Sequence, residues 1–199
     1  MSNDKVNPSH LRLLINRQNL NFRELGKRLN IPVDTLKRWN RQFLTPDPNA
    51  GRQSGRARVF TPDECLILYL AGYLLRNEGY GNSDTGQILS DVTPWLLARK
   101  LMPSRIGPKG LSKKDFHELF IQKRKGEDFF RYDTKKILTR DVVLKKGSKT
   151  TIQENFILSP IRGQKPLWGI VYTRVVRISI LISYGLNAIG WKRQAEKGG

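Results

Sequence analysis

Soft metal ligands and nucleophiles are scarce in this chain of 199 residues, which has one cysteine, Cys65, and two histidines, His10 and His117. A single thiol forms no intramolecular disulfide and suits a reducing cytoplasm. The three side chains are far apart and cannot supply the four ligands of a structural zinc site. Neither histidine stands at a recognisable spacing from an Asp, Ser or Cys partner for nucleophilic catalysis. No Walker-type phosphate loop or dinucleotide fingerprint occurs. Asp115/Glu118 and Glu127/Asp128 lie among lysines and read as surface ion pairs rather than acid/base dyads. Catalysis, a cofactor and a bound metal are therefore not expected. Long apolar runs are missing as well. The opening MSNDKVNPSH lacks the apolar segment of a signal peptide. The stretch from Leu167 to Ile189 is interrupted by Arg174 and Arg177, which argues against a membrane span.

Acidic residues are few too: 17 Asp and Glu face 36 Lys and Arg, for a net charge of +19. A field of that size attracts polyanions, either nucleic acid or an anionic membrane surface. The sign changes along the chain. Residues 1–60 carry +8, residues 61–98 carry −4, residues 99–150 carry +10 and residues 151–199 carry +5. Solubility alone explains the total but not this block pattern, and the acidic block is expected to face away from the polyanion.

Periodicity divides the chain. Residues 9–18 suit a short helix. Asn21 to Leu29 opens on a capping residue and places Phe22, Leu25 and Leu29 on one stripe. Asn30-Ile31-Pro32 breaks it, because proline disfavours helix in the residue before it. A second helix is expected over 33–43, with Leu36, Trp39 and Phe43 inward. Two short amphipathic helices joined by a tight turn make a helix-turn-helix. Residues 45–58, rich in Pro, Gly and Arg, read as a loop. Thr61-Pro62-Asp63-Glu64 is a helix start, followed by a nearly all-apolar helix to about Asn77 and a last short helix near Ser83–Val92. Cys65 inside the apolar helix reads as a buried small hydrophobe. Thr93-Pro94 marks a break, beyond which a helix is expected near Ser112–Lys123. Strands are expected at Ile137–Leu144, Thr151–Leu158 and Leu167–Thr173. Val176, Ile178, Ile180 and Ile182 alternate with Arg177, Ser179, Leu181 and Ser183 as in a further strand, and a helical turn covers Tyr184–Trp191.

Three elements in order carry a resemblance. They are Phe22-Arg23-Glu24-Leu25-Gly26-Lys27-Arg28-Leu29, then Thr35-Leu36-Lys37-Arg38-Trp39-Asn40, then an Arg/Gly stretch ending in Arg58-Val59-Phe60-Thr61-Pro62-Asp63-Glu64. Together they make Asn21–Asp91 similar to the DNA-binding domain of the MerR family. The resemblance implies a winged helix-turn-helix whose second helix enters the major groove, where side chains near its start reach base edges. Asp34, Thr35 and Lys37 become candidates for base contacts, and Arg38 and Arg41 for base or phosphate. Trp39 either packs inward or touches the sugar-phosphate backbone. Arg52, Arg56 and Arg58 on the wing follow the backbone or enter the minor groove, and Arg23, Lys27 and Arg28 on the first helix contact phosphates. Asn40 and Lys37 stand where the family commonly has Glu and Arg. The thiol ligands of metal-sensing members and a long dimerisation helix after residue 93 are not evident.

The expected architecture is α+β, with an N-terminal winged helix-turn-helix unit over 1–93, a basic linker or helical region over 94–136, and a small antiparallel β-rich module over 137–199. Residues 1–93 are expected to bind DNA autonomously, with the last module serving assembly or regulation. The reading is a sequence-selective DNA-binding protein of bacterial or phage type that regulates transcription. Its alternative is an architectural or excision-type factor of a mobile element. A basic RNA-binding or membrane-surface protein fits less well, because no aromatic RNA-binding strand motif or basic amphipathic helix is found. Double-stranded DNA, a second copy in a homodimer, and transcription or recombination machinery are the expected partners, with no membrane and a cytoplasmic, nucleoid-associated location.

Overall fold

A computed structural model describes residues 20–47, 58–106, 111, 115–124, 130–143, 149–158 and 170–191. The helix expected over 9–18 lies outside them. The first elements are β1 (Leu20–Asn21), α1 (Phe22–Leu29), α2 (Val33–Phe43), β2 (Val59–Phe60), α3 (Pro62–Arg76) and α4 (Asn82–Ala98). Asn21 starts α1 with a capping box: its side chain accepts from the Glu24 N–H at 2.9 Å while the Glu24 carboxylate accepts from the Asn21 N–H at 3.0 Å. Asn30 ends the helix in the left-handed region, φ 52° and ψ 49°, and the Ile31 N–H donates to the Gly26 carbonyl at 2.9 Å. The turn is so close that a Cβ on Gly26 would stand 2.8 Å from the Ile31 carbonyl oxygen.

Thr61 and Glu64 form a second capping box at the start of α3, with Pro62 in its first turn. This helix is buried on nearly all sides, through Cys65, Leu66, Leu68, Leu70, Ala71 and Leu74 among others. It forms the axis of the fold, as its all-apolar composition requires. Helix α4 is longer than the short helix expected near Ser83–Val92. It runs on through Pro94 to Ala98, so the break expected at Thr93-Pro94 falls inside a helix. The proline leaves only the exposed Ser90 carbonyl without an intrahelical donor, and water can serve that group.

The second half is an antiparallel sheet of β3 (Asp115–Arg124), β4 (Arg131–Val143), β5 (Lys149–Leu158) and β6 (Ile170–Val176) in the order β5-β4-β3-β6, followed by α5 (Ile178–Ala188). The whole is α+β, as expected, but three local assignments change. The segment near Ser112–Lys123 is the inner strand β3 instead of a helix, because Leu119 and Ile121 alternate inward and its backbone pairs on both edges. The described residues between 94 and 136 thus include the end of α4, all of β3 and the start of β4. The strand expected over Val176–Ser183 is helical beyond Arg177. Its alternating isoleucines imitate a strand, but burial falls on Ile178, Leu181, Ile182, Gly185 and Leu186, a helical stripe, with Ile180 and Tyr184 exposed.

One continuous core joins the halves. Leu70 of α3, Leu89 of α4, Leu119 and Ile121 of β3, Val176 of β6 and Leu181 of α5 meet around one small apolar cavity. Helix α5 lies against α3 so closely that a Cβ on Gly185 would stand 2.6 Å from the Tyr69 ring and 2.9 Å from Leu66. The seam is polar at its edge. The Tyr132 hydroxyl donates to Asp91 at 3.0 Å, and Arg174 and Lys123 reach Glu78 and Asp84 at 3.6 and 4.0 Å. The acidic block therefore faces the basic sheet.

Candidate nucleic-acid interface

The surface most suited to a polyanion is built on α1 and α2. The 3.6-residue period turns Leu36 and Trp39 inward and leaves Asp34, Lys37, Arg38 and Arg41 exposed on one stripe, with Thr35 half-buried beside it. Lys37 reaches back to Asp34 at 3.2 Å, but both side chains remain largely open to solvent, 56% and 94%. Such a pair is weak and easily exchanged for another partner. Arg38 and Arg41 have no ion-pair partner among the described residues. Arg23 and Lys27 are exposed four residues apart on α1, so they share one face. The turn described above fixes the angle between the two helices. The pairing of Leu20 with Phe60 and Asn21 with Val59 ties the start of α1 to the end of the loop segment, and Phe22 and Phe60 meet edge to face at 4.8 Å.

Two of the expected contact residues are committed elsewhere, and a third, the exposed Arg28, is partly engaged. Trp39 is 3% exposed and lies over α3, where a Cβ on Gly72 would meet its ring at 3.2 Å; it is a core residue and cannot touch a DNA backbone. Arg58 is a strut. Its side chain is 11% exposed, ion-paired to Glu64 at 2.6 Å, hydrogen-bonded to the Thr45 carbonyl at 3.3 Å and stacked 5.4 Å over Phe60. It fastens the end of the loop segment to the end of α2 and the start of α3. Arg28 donates to the Ile189 carbonyl after α5, which couples the first helix to the C-terminal one. Arg52 and Arg56 lie outside the described residues.

The sequence reading missed Arg76. At the end of α3 its guanidinium sits 5.5 Å above the Trp39 ring, exposed on its other side. Its signal was visible, since it is the single basic residue in the acidic block 61–98. Burial pushes the Cys65 thiol up to about 12, so the buried apolar role expected of it holds and a thiolate is excluded near neutral pH. Among the described residues no group of three or more His, Cys, Asp or Glu side chains could hold a metal ion, and no helix is long and apolar enough to cross a membrane.

No curated protein and no solved structure gives a significant match to the chain. Residues 20–91, from β1 into α4, are matched by the family model of the MerR HTH family regulatory proteins, and this segment is similar to their helix-turn-helix domain.

Proposed function

We propose that this protein is a sequence-selective DNA-binding transcriptional regulator that reads the major groove with α2. The observation that carries the reading is the outward stripe Asp34, Lys37, Arg38 and Arg41 on the second helix of a MerR-type helix-turn-helix domain. Two arginines without an ion-pair partner among the described residues, beside a lysine held only by an exposed carboxylate, can exchange solvent for base edges and phosphates at little cost. Arg23 and Lys27 are assigned to the phosphate backbone, as are Arg52 and Arg56 on the wing. Trp39 and Arg58 support the domain from within and are withdrawn from the contact set, while Arg28, exposed although bonded to the Ile189 carbonyl, stays assigned to the phosphate backbone.

The test is selection of bound sites from a random duplex library with the full chain, followed by binding to the selected site and to a random duplex. A sharp motif is expected. Lys37→Ala and Arg38→Ala should each weaken the selected site more than the random one, by about 1–3 kcal/mol for one good base contact. Equal losses on both duplexes would reassign these residues to the backbone. Cooperative binding at several sites with strong bending and no sharp motif would replace the regulator by an architectural factor.

A further inference from the structure

Beyond the matched residues, Arg99-Lys100-Leu101-Met102-Pro103-Ser104-Arg105-Ile106 leaves the end of α4. This stretch is held firmly. Leu101 and Met102 are 5% and 1% exposed in the core. The Lys100 N–H donates to the Leu97 carbonyl at 3.1 Å and the Leu101 N–H to the Leu96 carbonyl at 2.9 Å, the pair of bonds that closes a Schellman motif. Lys100 occupies its left-handed position at φ 59°. Glycine is usual there, because a Cβ opposes that backbone conformation. Stability alone would favour Gly, yet the position carries a long, exposed cation.

The stretch is also fixed in direction. The Ser104 N–H and hydroxyl donate to the two oxygens of Asp63, at 2.8 and 2.5 Å. Asp63 precedes Glu64, which holds Arg58, and Arg58 holds the Thr45 carbonyl beyond α2. A chain of hydrogen bonds and backbone thus runs from the end of α2, past Arg58, to Ser104. At its far end Arg99, Lys100 and Arg105 are exposed and have no ion-pair partner among the described residues. We propose that these three cations form a second phosphate-contacting patch that grips duplex DNA beyond the reach of α2. The proposal rests on the reading of the head as a duplex-binding domain. Phosphates are the fitting ligand because the three cations stand on irregular backbone outside the helix assigned to the major groove, on a frame fixed in direction.

The experiment uses the full chain carrying Arg99→Ala, Lys100→Gly and Arg105→Ala together, on the selected site and on a random duplex of equal length, across a salt series. Affinity should fall by the same factor on both duplexes, and the slope of log affinity against log salt should shrink by about 2 to 3, at about 0.9 for each phosphate no longer neutralised. Lys100→Gly alone should keep or raise the unfolding midpoint while shrinking the slope by about 0.9. It therefore serves if the triple variant folds poorly. An unchanged slope in a folded variant overturns the patch and leaves the function of α2 standing. A wild-type chain that binds no duplex at any salt overturns both, and a loss confined to the selected site overturns the patch in favour of base reading.

Discussion

Cutting the chain after Ile106 should remove the fold and not merely a module. The cut takes away β3, β6 and α5, which cover one side of α3 and α4. Leu70, Leu74, Ile88, Leu89, Val92 and Leu96 line that side and are all at most 6% exposed in the intact protein. Fully burying one such side chain is worth about 1.5–3 kcal/mol, so six that each lose half of it forfeit roughly 4–9 kcal/mol. A domain of this size has a net stability of about 5–15 kcal/mol in total. Removing the Tyr132–Asp91 hydrogen bond and the link from Arg28 to Ile189 adds to the deficit. The fragment 1–106 should then keep helical far-ultraviolet circular dichroism at best, with no near-ultraviolet signal and no cooperative urea transition. A fragment that melts cooperatively near the full-length midpoint and binds the selected duplex undiminished would refute the shared core and restore an autonomous head.

Two further outcomes follow from single contacts. Gly26→Ala gains about 1 kcal/mol of helix propensity but forces its Cβ to 2.8 Å from the Ile31 carbonyl oxygen, an overpacking cost of about 1–3 kcal/mol; a lower urea midpoint is expected, and a higher one would show that the turn yields freely. Burial raises the Cys65 thiol from 9.0 to about 12, and burial together with the Glu78 hydrogen bond raises Tyr73 from 10.0 to about 12. Both are acids with raised folded-state pKa values, so their share of stability is complete below pH 9.0 and is lost on the way to about 12. The urea midpoint should be flat from neutrality to about pH 9 and then fall, with the onset near pH 10 in Cys65→Ala; a flat midpoint to pH 11 would contradict it.

The helix-turn-helix was legible because its signals are local. Asn21 with Glu24, Asn30-Ile31-Pro32, and Thr61-Pro62 with Glu64 each lie within one turn of the boundary they set. What was misread depends on partners distant in sequence. Nothing near Trp39 announces Gly72, which settles its two open roles in favour of packing inward, and nothing near Arg28 announces Ile189, whose carbonyl engages an otherwise exposed arginine. Arg58 is a milder case, since Glu64 is only six residues away and its acidity was visible. The Val176–Ser183 alternation failed because every second residue is apolar in an apolar stretch, so the pattern fits a helix buried on most sides equally well. Pro94 marks no boundary because Ser90, whose carbonyl it leaves without a donor, is an exposed residue.

The blockwise charge acquires a different meaning once the fold is known. Glu78, Asp84 and Asp91 meet Arg174, Lys123 and the Tyr132 hydroxyl across the seam between helices and sheet. The two ion pairs among these contribute only about 0–1 kcal/mol each to stability, so their main effect is to cancel charge there, while apolar packing supplies the adhesion. Cations elsewhere keep their field. Arg23, Lys27, Arg38, Arg41, Arg99, Lys100 and Arg105 are exposed without an ion-pair partner among the described residues. A polyanion approaching the seam meets two ion pairs, Glu78 with Arg174 and Asp84 with Lys123, whereas α1, α2 and the Arg99–Arg105 stretch present exposed cations beside fewer carboxylates, among them Glu24, Asp34 and Asp63. Uneven compensation of this kind steers a charged ligand away from the seam, and the steering weakens as salt rises. On the proposed reading, the acidic block would direct DNA to the helix-turn-helix by weakening the field of the seam, which requires the sheet to be present and docked.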